Sequence, residues 1–308
     1  MAAAVTVEAL RKAYGAKVAV ADVSLRVEEG EIFGLLGPNG SGKTTTVECV
    51  QGLRRADAGR VDVFGLDAVH DAAHVRRIVG SQLQESALPD RLRVAEALQL
   101  FSTFQPGGPP WQELLEEWGL ADRRNTAFGD LSGGQRQRLF VALALVANPR
   151  LVVLDEMTTG LDPAARRVAW ELVEAVRDRG TTVLMVTHFM DEAERLCDRV
   201  AVLVSGRIVA RGTPAELVAG VGGRHVARFT APTATDLGFL RAIPDVDEVR
   251  TGAGGDVAVT GSGPVVARVG HALVSRGLEP EDLRADGSTL EDAYLALTEP
   301  GGRAREGG

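Results

Sequence analysis

The segment Gly37-Pro38-Asn39-Gly40-Ser41-Gly42-Lys43-Thr44-Thr45 follows the apolar run Ile32-Phe33-Gly34-Leu35-Leu36 without a break. A short apolar run that delivers a glycine-rich segment ending in Gly-Lys-Thr reads as a strand, a phosphate-cradling loop and the start of a helix. The glycines let the backbone curl until successive N–H groups point at phosphate oxygens, and the helix adds the positive end of its dipole. Lys43 is then placed to reach the β- and γ-phosphates of a nucleoside triphosphate. Thr44 can give a hydroxyl to Mg²⁺, and Thr45 a further phosphate contact from the first helical turn. Lysine occurs only at Lys12, Lys17 and Lys43. The chain otherwise uses arginine, yet keeps a compact ammonium where the phosphates sit.

Many enzymes carry such a loop, and a second motif narrows the choice. Leu131-Ser132-Gly133-Gly134-Gln135-Arg136-Gln137-Arg138 exposes backbone N–H groups and a hydroxyl ahead of the periodic apolar residues Leu139, Phe140, Leu143, Leu145 and Val146, a helical pattern. It is a second phosphate site. Serving the same nucleotide as the first loop would contort the fold, so two chains packed head to tail, each completing the other's site, is the economical arrangement. The motif LSGGQ resembles the signature of the ATP-binding cassette family.

The other elements stand in the order that this resemblance implies. Leu151-Val152-Val153-Leu154-Asp155-Glu156 reads as a buried parallel strand tipped by two carboxylates. The resemblance implies that Asp155 holds Mg²⁺ and that Glu156 polarises the attacking water as general base. Met157 follows, where the family commonly has proline. Gly160-Leu161-Asp162 resembles the loop in which an aspartate communicates across the dimer. His188, after Thr181-Thr182-Val183-Leu184-Met185-Val186-Thr187, matches the switch histidine that contacts the γ-phosphate. Tyr14 matches the aromatic that stacks on adenine. For the glutamine that joins Mg²⁺ to the membrane partner, Gln82 and Gln84 are both candidates; spacing favours Gln84, although Leu83 stands where the family usually has proline.

Composition bounds the alternatives. Of 308 residues 45% are apolar and the net charge is -8, enough for globular cores and opposed to nucleic acid as main partner, which needs clustered Lys and Arg. Cys49 and Cys197 match no ligand spacing and read as free thiols in a reducing cytoplasm. The start of the chain lacks a signal-peptide pattern, and no run of 18 apolar residues occurs, so any pore is expected from another chain. His70-Asp71-Ala72-Ala73-His74 puts two histidines at helical spacing. It lacks a glutamate base and a third ligand, so zinc is not expected.

The expected fold is α/β: a P-loop NTPase cassette over 1–219, with an antiparallel β subdomain in residues 1–30 and a helical signature subdomain over about 88–130, broken at Pro106-Gly107-Gly108-Pro109-Pro110. Two strands flank Ser205-Gly206. A helix begins at Thr213-Pro214-Ala215-Glu216, a capping box with proline first, and Gly220-Val221-Gly222-Gly223 reads as a linker. Residues 220–308 read as a small C-terminal α+β domain: a strand from His225 to Thr230, a helix near 234–243, strands near 246–251 and 256–260 joined through a glycine turn, a helix from Pro264 to Arg276, and a closing segment 288–298 before a frayed end. That ending resembles the C-terminal extension of the daunorubicin-resistance type of exporter ATPases.

The resemblance thus implies a bacterial ATPase at the cytoplasmic face of the membrane. It binds ATP and Mg²⁺, works as a homodimer with shared ATP sites and powers drug or antibiotic export through a separately encoded permease. The competing class is a soluble cassette switch without a membrane partner. Such proteins usually carry two cassettes or long insertions, which this chain lacks.

Overall fold

The computed structural model describes residues 2–82, 88–104, 107–220, 225–232, 235–287 and 289–298. The chain forms two compact units, Met1–Thr213 and Pro214–Gly308. In the first unit, β1 (Ala3–Tyr14) and β2 (Lys17–Glu28) are antiparallel; Val23, Leu25 and Val27 are buried while Ser24 and Arg26 between them stay exposed. That period of two is what a half-buried strand requires. β3 (Ile32–Leu36) is buried along its whole length and leads into α1 (Lys43–Val50). β4 (Ala58–Val63) and β5 (Leu66–Asp67) then extend the antiparallel sheet beyond β1.

α2 (Ala72–Ile78) and β6 (Val79–Gln82) return the chain to the other edge of the sheet. His70 precedes α2, so the two histidines do not share a helix face as their spacing suggested: Asp71 caps the helix between them. α3 (Val94–Phe104), α4 (Trp111–Glu117) and α5 (Gly133–Leu145) form the expected helical region. The break between α3 and α4 is present, although Pro106 lies outside the described residues.

β7 (Leu151–Asp155), α6 (Pro163–Asp178), β8 (Thr182–Thr187), α7 (Met190–Leu196), β9 (Arg199–Val204) and β10 (Arg207–Gly212) complete the first unit. Its ten strands run β5-β4-β1-β2-β10-β9-β3-β8-β7-β6. β9, β3, β8, β7 and β6 are parallel; β10 is antiparallel to β9 and joins β2 through one parallel pairing, Arg207 with Asp22. Strands β3, β7 and β8 are buried on both faces, as helices on each side demand. Each fully buried Leu, Ile, Val or Phe in them contributes about 1.5 to 3 kcal/mol relative to exposure. Register matters most here. Leu36 pairs with Thr187 and Asp155 with Val186, so three neighbouring strands release their loops at one carboxyl edge. That is where parallel α/β sheets bind ligands.

In the second unit α8 (Pro214–Gly220) packs on the final helix, α10 (Leu290–Thr298). For this reason the division falls at 213/214 and not at the expected 219/220. β11 (His225–Thr230), β12 (Val246–Thr251), β13 (Asp256–Gly261) and β14 (Arg284–Gly287) form an antiparallel sheet in the order β12-β13-β11-β14. Ala227, Phe229, Val257 and Val259 share its core with Val265, Val269 and Leu273 of α9 (Val265–Val274). The helix expected near 234–243 is only a 3-10 turn, Gly238–Ala242. Proline follows at Pro244, and Asp236 accepts from the Gly238 N–H at 2.9 Å, which favours a turn over a longer helix. β14 was not expected, because Arg-Ala-Asp-Gly has no apolar alternation; it pairs as an edge strand. Residues 221–223 of the expected linker lie outside the described residues. Among the described residues no helix is long and apolar enough to cross a membrane, and both cysteines are free and buried.

Candidate functional site

The loop after β3 turns into α1 at Gly42, the helix N-cap, whose φ of 107° lies where side chains are strained. A Cβ there would come 2.4 Å from the Ala19 carbonyl oxygen, so only glycine fits. Lys43 opens the helix. Its Nζ donates to the carbonyls of Gly37 at 2.7 Å and Pro38 at 3.1 Å, bending the ammonium back across the loop. Burial pushes the Lys43 pKa down, opposed by the nearby charges of Glu156 and Asp155. The buried Ser41 hydroxyl has no hydrogen-bond partner. A cleft of about 370 Å³ opens here, lined by Tyr14 and Lys17, by Asn39, Gly40 and Gly42 of the loop, by Lys43, Thr44 and Thr45, and by Glu156.

β7 carries the two carboxylates to the same edge. Asp155 is 3% exposed, its Oδ1 has no hydrogen-bond partner, and burial first, then the Glu156 charge, raise its pKa to about 6. Glu156 adopts φ 50°, a left-handed conformation unusual for a non-glycine residue, and its N–H donates to the Val186 carbonyl at 2.9 Å. Such a backbone costs about 1 to 3 kcal/mol and persists where the surroundings over-determine it, typically in active sites. The bend aims Glu156 away from the strand. Its Oε1 comes 3.3 Å from Nδ1 of His188, at the end of β8. Met157 is 5% exposed and packs inward, so the residue that departs from the family's proline serves the core.

Tyr14 ends β1 with 41% exposure, and the Arg54 guanidinium lies 5.2 Å from its ring centroid, Lys12 Nζ 5.8 Å. Ser132 caps α5: its hydroxyl accepts from the Gln135 N–H at 3.3 Å, and the Gln135 Oε1 accepts from the Ser132 N–H at 3.0 Å. This reciprocal box leaves the Gly133 and Gly134 amides in an open first turn. Ser132, Gly133, Gly134 and Gln135 do not line the cleft that holds Lys43. Asp162 caps α6, accepting from Ala164 and Ala165 N–H, each at 2.9 Å. The Gln137 amide donates to Gln82 Oε1 at 2.9 Å, a buried tie between α5 and β6; Gln84 lies outside the described residues. Sequence reasoning missed this tie, the Lys17 and Ala19 wall, and the contacts around His188.

Residues 20–159 match the family described as ABC transporter. The chain is 38% identical to the daunorubicin resistance ATP-binding protein DrrA3 of Streptomyces coeruleorubidus, over 98% of each chain. It is 42% identical to the Nod factor export ATP-binding protein I of Burkholderia orbicola over 72% of this chain and 75% of that one. An ATP-binding cassette of an ABC transporter, solved in its ADP conformation, superposes with a TM-score of 0.63 at 26% identity, covering 70% of this chain and 93% of that one. A cassette dimer in a post-hydrolysis state with ADP and phosphate gives 0.61 at 27% identity, covering 68% and 98%. The chain belongs to the ATP-binding proteins of the ABC transporter family. It is an ATPase, the subunit that binds and hydrolyses ATP.

Proposed function

We propose that the chain powers efflux of a drug or antibiotic in a bacterium, acting at the cytoplasmic face of the membrane as a homodimer beneath a separate permease. The observation that carries the paired reading is the separation of two phosphate-binding elements. The loop Gly37–Thr45, Asp155, Glu156 and His188 gather at the carboxyl edge of β3, β7 and β8, and the cleft there, lined by the loop and Glu156, does not take in the capped N-terminus of α5. A second copy would bring its Ser132, Gly133, Gly134 and Gln135 to the nucleotide, and its Asp162 to the shared boundary. Relatives named for daunorubicin resistance and Nod factor export support the export reading.

Within one site the loop amides and Lys43 hold the β- and γ-phosphates, Lys43 exchanging its loop carbonyls for phosphate oxygens. Tyr14 stacks on adenine. Glu156, bent toward the cleft, accepts a proton from the attacking water, and His188 contacts the γ-phosphate. The orphaned, buried Asp155 oxygen fits a cation, and Thr44, Asp155 and Gln84 would hold Mg²⁺. Mg²⁺ supplies neutralisation of the charge that develops on the transferred phosphoryl group. Gln82, already bonded to Gln137, is the poorer candidate for that role.

Mixing two inactive variants tests the shared site. Lys43→Ala and Ser132→Arg each abolish turnover alone. A mixed pair keeps one intact site, so random mixing restores about a quarter of wild-type hydrolysis if that site turns over by itself. No recovery, with both variants folded and pairing, overturns the shared-site reading.

A further inference from the structure

A γ-phosphate contact needs a fixed imidazole, yet the His188 side chain is 38% exposed and stands just beyond the end of β8. The strand sets where its Cα lies. What sets the ring lies elsewhere. The imidazole packs on the neighbouring Phe189 ring, centroids 4.2 Å apart and planes 36° apart. The Arg166 guanidinium of α6 lies over Phe189, its Cζ 4.4 Å from the centroid, and Arg166 Nη1 is 3.3 Å from Asp191 Oδ2. Arg166 is itself in the turn that Asp162 caps, its N–H donating to the Asp162 carbonyl at 2.9 Å.

A second device fixes the backbone on either side of the histidine. The Thr187 hydroxyl accepts from the Phe189 N–H at 3.0 Å and donates to Glu192 Oε2 at 2.5 Å, and Glu192 is 1% exposed. Burial raises the Glu192 pKa, opposed by the Thr187 hydroxyl and by the nearby Thr158 hydroxyl and Trp170 indole N–H. Thr187 and Phe189 are therefore pinned from beneath. The imidazole is then held at Nδ1 by Glu156 Oε1, 3.3 Å away, and on its face by the Phe189 ring, which Arg166 covers.

We infer that Phe189 and Arg166 are positioning residues for His188, setting its ring from the first turn of α6 and so from the turn that Asp162 caps. Neither side chain is assigned a phosphate contact; both act through the imidazole. Rotamer freedom at an exposed histidine would otherwise spread the ring over several orientations, and small misplacements of a reacting group cost large factors in rate. The inference rests on the proposed role of His188.

Steady-state hydrolysis by the full-length protein tests it. Phe189→Leu and Arg166→Ala should each lower kcat by about 10-fold to 100-fold with KM for ATP unchanged, whereas Phe189→Tyr, which keeps the ring, should stay near wild type. In a His188→Ala background Phe189→Leu should cause no further loss, since the ring it served is gone. Full turnover by His188→Ala would remove the histidine's role and with it the site reading. An inactive His188→Ala beside fully active Phe189→Leu and Arg166→Ala would overturn the positioning inference alone. So would a further loss from Phe189→Leu without His188, or an equal loss in Phe189→Tyr. If Phe189→Leu fails to fold by circular dichroism, the partly exposed Arg166→Ala decides.

Discussion

Asp155 shows how one residue trades stability for function. Its ordinary pKa of 3.8 is raised to about 6, by burial first and by the Glu156 charge second. Between those two values the folded protein keeps a proton that the unfolded chain has lost, so the stability of the nucleotide-free protein falls as pH rises through this window and stays low above it. Asp155→Asn removes the buried charge. Its melting temperature at pH 7.5 should exceed that of the wild type, the difference should close below about pH 4, and ATP turnover should be lost. A variant no more stable than wild type at pH 7.5 would show that the carboxylate is not held at a cost. The residue types were legible from the motif; that one oxygen has no partner was not, because burial depends on strands distant in sequence.

At the scale of elements, α5 is fixed at its start by the Ser132–Gln135 box and along its length by the Gln137–Gln82 bond to β6. The box carried a local signal, Ser-x-x-Gln within four residues, that the motif reading did not use. The Gln pair carried none, because nothing in the local pattern joins residues so far apart. Gln137→Leu leaves the Gln82 oxygen buried and unpaired, which should cost about 1 to 3 kcal/mol, read as a lower urea midpoint at unchanged m-value. Replacing both by leucine should return part of that loss. If the double variant is as unstable as the sum of the singles, the pair does not interact. The same contrast separates α8, whose start was readable at Pro214, from β14, which exists only because β11 offers it an edge.

For the whole molecule, the first unit holds the loop, the carboxylates, His188 and the start of α5, and we propose that residues 214–308 are not needed for the chemistry. We assign the second unit to assembly of the dimer with its permease. A chain ending at Thr213 should bind ATP with near-normal affinity by titration while losing export or permease association in cells. A folded shortened chain that cannot bind ATP would place part of the nucleotide site in the second unit, and full export would make that unit dispensable.

Local chemistry determined what the sequence alone could announce: the glycine-lysine loop, the buried strands read as unbroken apolar runs, the capping box and the two carboxylates each follow from residues within one turn or strand. Only the tertiary structure decided how they meet. The register of β3, β8 and β7 brings Leu36, Thr187 and Asp155 to one edge and Glu156 to His188, and the packing of α6 sets Arg166 over Phe189, because those contacts depend on strand pairing and helix packing between segments that no local pattern joins.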